Sequence, residues 1–277
     1  MYIVDRIKKE GFRRRLSPRT IKAYIFWVKK FLYFCKKDHN EISKKDVREF
    51  MEHLSEKDLA GNTLNVALAS VMFFIEWVLN KRWKLYIKYS KTPKRLPTVL
   101  TKKEVRKILS VIKNRKHRLM IALMYAAGLR VSELVNLRVG DFEFEREIGF
   151  VRNGKGGKDR FFIIANDLKP ELLLWIKENS LTCDSYMFKG NNNYHLSTQS
   201  VLMIVKKAAK KAKLEKNIHP HTFRHTFATH TIQNKYSLQS VQNLLGHKNI
   251  DTTTRYVHCV PSKLIHVKSP YDSLFEE

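Results

Sequence analysis

Four short stretches in the second half of the sequence concentrate side chains that could act on a phosphate group. They contain arginines, histidines, a lysine between glycines, and a tyrosine nine residues after a histidine; the stretches are Gly128–Leu134, Gly154–Arg160, His219–His230 and Leu244–His258. Cutting a phosphodiester requires a nucleophile, positive charge on the non-bridging oxygens and an acid for the leaving alkoxide. Arginine forks suit phosphate oxygens, an ammonium can donate a proton, and a tyrosine hydroxyl can attack once a base and nearby positive charge activate it.

Taken together and in this order, the four stretches resemble the tyrosine recombinase family, most closely the Xer recombinases and related integrases. The first resembles the box around that family's first arginine, the third its His-x-x-Arg box, and the fourth its Leu-Gly-His segment followed by the nucleophilic tyrosine. The resemblance extends to the Ser17-Pro18 start and to residues 96–105, and Glu133 stands where the family has an acidic residue. The catalytic set that it implies is Arg130, Lys155, His221, Arg224, His247 and Tyr256.

The resemblance also implies a role for each of these side chains. Arg130 and Arg224 would stabilise the charge that grows on the pentavalent phosphate, and Lys155 would protonate the departing 5′ oxygen. His221 would act as a base or orienter toward the tyrosine, and His247 would donate a hydrogen bond to the phosphate. The tyrosine would form a 3′-phosphotyrosyl bond that keeps the energy of the phosphodiester, so that rejoining needs no ATP.

Each stretch taken alone also has a purely structural explanation. Arg130 could cap the carbonyl groups at a helix end, Gly154–Lys158 could be an ordinary hairpin turn, and Tyr256 is one of 11 tyrosines. Lys158 and Arg160 are expected to contact phosphates or to lie on a solvated strand. The joint occurrence of all four stretches favours the enzymatic interpretation.

The histidines also raise the question of a metal site. Position 222 is threonine, so no His-Glu-x-x-His motif exists, and no pair of cysteines supplies structural ligands. We therefore expect no metal and no cofactor, and we interpret His225 and His230 mainly as residues that pack in the core or that support the site residues without contacting the substrate.

The charge of the chain indicates a polyanionic partner. Lys plus Arg number 53 against 26 Asp plus Glu, a formal net charge of +27. Residues 1–98 carry a net +13 and residues 99–277 a net +14, so both halves are basic. Such a chain attracts nucleic acid first and an anionic membrane surface second. With 43% hydrophobic and 11% aromatic residues, it has the composition of a folded protein.

The remaining composition favours a cytoplasmic protein without a membrane partner. Cys35, Cys183 and Cys259 are odd in number and widely spaced, which is typical of a reducing compartment. Residues 1–15 contain no apolar segment of a signal peptide. The apolar run Leu119–Leu129 is too short to span a bilayer.

The elements that must position these residues are predicted to be mainly helices with a small β-sheet. Ser17-Pro18 is a helix start, and apolar residues at helical spacing follow to Cys35, near residues 47–54, and after Asn62. We predict a helical, DNA-binding core-binding bundle over residues 1–90. A basic, proline-bounded linker is expected over residues 91–98.

A mixed α/β catalytic domain of the tyrosine recombinase kind is predicted over residues 99–277. It begins at a capping box, Thr101 to Glu104, and an apolar helix ends at Gly128. Two strands, Phe142–Arg152 and Arg160–Ile164, are expected around the turn 153–158. Further helices are expected over 169–178, 198–212, 221–233 and 238–245. A tail from Ser262 is expected to pack on a neighbouring subunit through Leu264, Ile265 and Val267.

The function that this resemblance implies is site-specific DNA recombination through a Holliday junction, by a homotetramer on double-stranded DNA that contains a recombination site. A partner recombinase or activator is a further expectation, and chromosome-dimer resolution and mobile-element integration both stay open. The alternatives are a type IB topoisomerase-like strand transferase and a DNA-binding protein without catalytic activity.

Overall fold

The computed structural model of the chain is mainly helical and contains one small antiparallel sheet, which confirms the predicted fold class. It describes residues 2–83, 86–91, 97–152, 159–190, 194–234, 238–245, 269–271 and 274. The chain divides into two compact units, Met1–Arg95 and Leu96–Glu277. The DNA-binding and catalytic roles of these units stay predictions.

The first unit is a helical bundle. Its elements are α1 (Tyr2–Arg13), α2 (Pro18–Cys35), α3 (Lys44–Ser55), α4 (Gly61–Phe73) and a π-helical turn that continues α4 over Phe74–Val78. As predicted, Ser17 caps α2, and its hydroxyl accepts a hydrogen bond from the Thr20 N–H at 3.1 Å. Helix α1, which buries Ile7 in the bundle, was not predicted from the sequence.

One helical segment of the described residues, Gly61–Val78, is long and apolar enough to cross a membrane. This segment was not predicted from the sequence. Its side chains Val71, Phe74 and Ile75 are fully buried in the core of the bundle. Packing against the other helices of the unit therefore accounts for its apolar composition.

The second unit is organised around one buried helix. The helices are α5 (Lys102–Ser110), α6 (Arg115–Ala127), α7 (Val131–Asn136), α8 (Lys169–Glu178), α9 (Thr198–Lys211), α10 (Pro220–Gln233) and α11 (Leu238–Leu245). Every residue of α6 from Leu119 to Ala127 is buried, and α5, α7 and α10 pack against this helix. The predicted capping box at the start of α5 is confirmed, with Thr101 and Glu104 bonded reciprocally.

The sheet differs from the prediction in one respect. It has three strands in the order β1 (Phe142–Glu143), β2 (Ile148–Val151) and β3 (Arg160–Ile163), all antiparallel. The prediction of a single strand over 142–152 was therefore wrong. The chain reverses between β1 and β2 without glycine or proline, because Glu147 itself adopts the left-handed conformation with φ 57°.

Gly128 ends α6 and turns the chain toward α7. Its φ of 57° is left-handed, and an added Cβ would lie 2.6 Å from the Phe227 ring and 3.0 Å from Leu245. Glycine is the residue that this turn accepts, because it has no Cβ to strain the backbone or to meet these neighbours. Arg130 follows two residues later as the N-cap of α7.

We predict that Gly128→Ala lowers the free energy of unfolding by about 2–4 kcal/mol, since it adds left-handed strain to overpacking. The matched control is Lys36→Gly, at the exposed left-handed end of α2 with φ 50°. That change should be neutral or stabilise the protein by up to about 1 kcal/mol, because glycine suits this conformation. Urea denaturation checks both variants. A Gly128→Ala variant as stable as the wild type would contradict the analysis of this turn.

Candidate functional site

The centre of the candidate site is the carboxylate of Glu133, in the first turn of α7. Its side chain is 4% exposed. Its Oε2 accepts a hydrogen bond from the Arg130 backbone N–H at 2.9 Å, and its Oε1 accepts one from Arg130 Nη1 at 2.6 Å. Glu133 therefore fixes both the backbone and the guanidinium of Arg130, which remains 18% exposed. The alternative that Arg130 caps the carbonyl groups of the preceding helix is not supported, because its guanidinium bonds to Glu133 and the residue is the N-cap of the following helix, α7.

Arg224 reaches the same carboxylate from α10. Its Nη1 donates to the carbonyl of Gly128 at 2.7 Å and lies 3.8 Å from Glu133 Oε2, and its Nη2 donates to the carbonyl of Leu245. Burial and the Arg160 and Arg130 cations lower the pKa of Arg224 to about 9. The group therefore stays protonated at neutral pH. Arg130 and Arg224, predicted from separate stretches, meet at one carboxylate.

A third arginine, Arg160 on β3, completes this cluster. Its Nη2 lies 2.5 Å from Glu133 Oε2, and its Nη1 donates to the carbonyl of Leu244 at 2.5 Å. Its side chain is only 7% exposed. The expectation that Arg160 contacts phosphate or lies on a solvated strand was therefore wrong. The sequence contained a signal for this burial, because Arg160 shares one face of its strand with the apolar residues Phe162 and Ile164. Both of these residues are buried in the structure.

These contacts explain the ionisation of the cluster. Burial alone would raise the pKa of Glu133, but the Arg160 guanidinium and the hydrogen bonds from Arg160 and Arg130 outweigh it and bring the pKa to about 2. Burial lowers the pKa of Arg160, while Glu133 raises it. At neutral pH the cluster of Glu133, Arg130, Arg160 and Arg224 carries a net charge of +2.

His221 lies in the first turn of α10. His219 is the N-cap and Pro220 is the first helical residue, so the His-Pro-His sequence begins the helix in the usual way. His221 is exposed, with its ring centroid 6.2 Å from that of His219. Partial desolvation, followed by the charges of His219 and Arg224, lowers the pKa of His221. The neutral imidazole, which can accept a proton, is therefore favoured near neutral pH.

Three predicted site residues, Lys155, His247 and Tyr256, lie outside the described residues. Lys158 also lies outside them, as do the three tail residues predicted to contact a neighbouring subunit, Leu264, Ile265 and Val267. Their roles stay predictions. The described part of the set is Arg130, His221 and Arg224.

The two other histidines of α10 differ from each other. His230 is buried, and its Nδ1 lies 2.9 Å from the hydroxyl of Tyr125, so its interpretation as a packing residue is confirmed. His225 is exposed and is therefore not a core packing residue, and its supporting role beside the site stays a prediction. Among the described residues, no group of three or more His, Cys, Asp and Glu side chains is arranged to hold a metal ion.

The chain matches two protein-family profiles that together cover most of its length. Residues 98–262 match the phage integrase family, and residues 3–85 match the phage integrase N-terminal SAM-like domain.

The chain is also similar to individual recombinases. The chain is 36% identical to a tyrosine recombinase of Pseudothermotoga lettingae over 89% of this chain and 90% of that protein. It is also 36% identical to the tyrosine recombinase XerA of Pyrococcus horikoshii over 87% and 83% of the two chains. A crystal structure of XerA recombinase matches with a TM-score of 0.52 and 28% identity over 95% of each chain. The XerH recombinase bound to its difH substrate matches in fold, with a TM-score of 0.68 and 23% identity over 88% and 78% of the chains.

We predict that Glu133→Gln lowers the free energy of unfolding at pH 7 by about 3 kcal/mol, because it leaves three buried or half-buried cations without their counter-charge. The difference from the wild type should shrink as the pH falls from about 4.5 to about 2. The unfolded chain takes up a proton near the ordinary pKa of about 4.3, whereas the folded carboxylate keeps its charge down to its pKa of about 2. The stabilisation that the charge provides is therefore complete above about pH 4.5 and is lost as the pH falls through the folded pKa.

The matched control is Glu171→Gln, which removes a carboxylate that pairs at 3.0 Å with the partly exposed Arg118. It should cost less than about 1 kcal/mol. Denaturation at several pH values measures both variants. If both variants lose the same free energy of unfolding, the Glu133 carboxylate contributes no more to stability than the carboxylate of a surface ion pair, which would contradict the prediction.

Proposed function

This chain belongs to the phage integrase family and is a tyrosine recombinase that breaks and rejoins DNA at specific sites, and we propose that six side chains carry its cleavage chemistry. Two arginines hold the scissile phosphate, one lysine and two histidines transfer protons or donate hydrogen bonds, and one tyrosine attacks. These residues are Arg130, Arg224, Lys155, His221, His247 and Tyr256.

The observation that carries this proposal is the attachment of Arg130 and Arg224 to one buried carboxylate. Both guanidinium groups lie within 3.8 Å of Glu133, and this geometry keeps two planar hydrogen-bond forks together. A phosphodiester under attack gains negative charge on its non-bridging oxygens. Cations that are already in position stabilise that charge without reorganising.

His221 is the proposed base or orienter for the nucleophile. Its lowered pKa favours the neutral ring, which can accept the proton of a tyrosine hydroxyl as that oxygen attacks phosphorus. The phenol then forms a 3′-phosphotyrosyl bond while the 5′ oxygen departs. Lys155 is proposed to protonate this leaving oxygen, and His247 to donate a hydrogen bond to the phosphate.

The chemistry needs no other group in this proposal. The arginines and Lys155 supply the positive charge, so we expect neither a metal ion nor a cofactor. The curated relatives are tyrosine recombinases, which favours recombination over the topoisomerase-like and non-catalytic alternatives. Chromosome-dimer resolution and mobile-element integration both remain compatible with the site.

DNA is the partner of the enzyme, and the basic first unit offers a surface for it. Lys22, Lys29, Lys30 and Lys36 of the α2 region are exposed, and we propose that they contact the DNA backbone. We further propose that the enzyme acts in the cytoplasm as a homotetramer on DNA, with a tail that is exchanged between subunits. The described tail residues Ser269–Tyr271 are buried within the chain's own second unit, and we propose that residues before Ser269, among them Leu264, Ile265 and Val267, make the exchanged contact. A partner recombinase or activator remains compatible with this arrangement.

We expect Tyr256→Phe to bind its DNA site as the wild type does and to form no covalent adduct, because only the attacking oxygen is removed. Denaturing gels of the enzyme with labelled substrate measure the adduct. Tyr194→Phe is the control, since Tyr194 is 72% exposed in the second unit and its loss should leave the adduct intact. An adduct in the Tyr256→Phe variant would refute the proposed nucleophile.

We expect Lys155→Ala to cripple cleavage of a normal substrate and to recover on DNA with a 5′-bridging sulfur, because a thiolate leaves without a proton. Loss of one phosphate contact should change the salt dependence of binding by only about one unit. Arg130→Ala and Arg224→Ala should not recover, since the phosphate still needs its positive charge. Lys158→Ala is measured on both substrates as well, because Lys158 is the alternative candidate for this role. Equal recovery of the lysine and arginine variants would contradict the general-acid role.

A further inference from the structure

Arg160 is a buried arginine that the cleavage chemistry does not use directly. Its guanidinium bonds to Glu133 on one side and to the carbonyl of Leu244 on the other, both at 2.5 Å. With a side chain that is only 7% exposed, it offers DNA little accessible surface. Desolvation of a buried charge costs several kcal/mol, and ion pairs in a core contribute little net stability. The burial of Arg160 therefore needs a reason other than stability.

The charge of the cluster suggests that reason. Glu133 holds Arg130 in place, but a carboxylate beside two phosphate-binding arginines also cancels one of their charges. Without Arg160, the group of Glu133, Arg130 and Arg224 would carry a net +1. With Arg160 it carries a net +2. A phosphodiester has one negative charge, and attack by a deprotonated tyrosine brings a second, so the additional positive charge of Arg160 favours the transition state.

The contacts of Arg160 add a geometric role. It bonds to the carbonyl of Leu244, and Arg224 bonds to the carbonyl of the next residue, Leu245. Two arginines thus hold the carboxyl end of α11 against the cluster. Arg160 also joins β3 to α7 through Glu133. One guanidinium therefore connects three elements around the phosphate-binding arginines.

We propose that Arg160 is a positioning residue that neutralises Glu133, so that Arg130 and Arg224 keep their full positive charge toward the scissile phosphate. This inference rests on the proposed function of those two arginines. Arg160 acts through its neighbours and does not touch DNA. Loss of Arg160 should therefore slow cleavage more when the scissile phosphate is charged than when it is neutral. It should affect DNA binding little.

The test compares two substrates in single-turnover cleavage by the full-length enzyme. One is the normal site, and the other carries a methylphosphonate at the scissile position, where a methyl group replaces one charged oxygen. Arg160→Met should slow cleavage of the normal site by roughly 10- to 100-fold, by analogy with the range found for residues that orient metal ligands, with site binding within about threefold of wild type. On the methylphosphonate substrate, the cleavage rate of Arg160→Met should lie within a few-fold of the wild-type rate on that same substrate.

Arg160→Lys should recover most of the rate, because it keeps the charge although it makes fewer hydrogen bonds. Arg118→Met is the matched control, since Arg118 also joins two elements by an ion pair, with Glu171 on α8. It should cleave both substrates as the wild type does. All rates are measured well below the thermal midpoint of each variant, and Arg160→Gln replaces Arg160→Met if that variant does not fold.

Two results would overturn the inference. One is that Arg160→Met, or Arg160→Gln in its place, cleaves the normal site at the wild-type rate. The other is an equal deficit on both substrates, which would make Arg160 a structural contact only. Arg130→Ala, measured in parallel, tests the underlying proposal separately: if it cleaves the normal site at the wild-type rate, the arginine assignment fails whatever the result for Arg160.

Discussion

The Glu133 carboxylate is 4% exposed and lies among three described guanidinium groups at 2.6, 2.5 and 3.8 Å. A carboxylate buried so deeply stays ionised only while cations surround it, and the cations in turn stay together only while the carboxylate is charged. This mutual dependence fixes Arg130, Arg160 and Arg224 relative to one another. In the proposed mechanism, the geometry of the phosphate-binding arginines therefore originates in one buried carboxylate.

The second unit supplies a rigid frame for this cluster. The buried helix α6 ends at Gly128, whose left-handed turn leads to Arg130 and whose carbonyl accepts a hydrogen bond from Arg224. α10 carries Arg224 and His221, and it packs against α6. Because each contributing element is anchored in one core, small displacements of the arginines are resisted by packing as well as by hydrogen bonds. Such preorganisation is what electrostatic catalysis requires.

Much of this arrangement could be predicted from the sequence, and the exceptions have physical causes. The starts of α2 and α5 follow from local capping residues, and the resemblance places Arg130, His221 and Arg224 in the site. The role of Arg160 was missed because a charged residue between lysine-rich and aromatic segments suggests a surface position, and only its alternation with Phe162 and Ile164 indicates burial. The turn between β1 and β2 was missed because Glu147 adopts a glycine-like backbone that no local motif predicts. Contacts between distant segments, such as Arg160 with Leu244, depend on tertiary packing and lie beyond local sequence patterns.

The central claim is that Glu133 and Arg160 act on the phosphate-binding arginines as one unit. The most direct measurement is a double-mutant cycle of Glu133→Gln and Arg160→Met on the cleavage rate of the normal site. The account predicts strong coupling of about 1–3 kcal/mol, with the double variant cleaving faster than the two separate losses together would allow, because neither partner is then left as an uncompensated charge. Losses that add within about 0.5 kcal/mol would contradict it, since the two residues would then act independently.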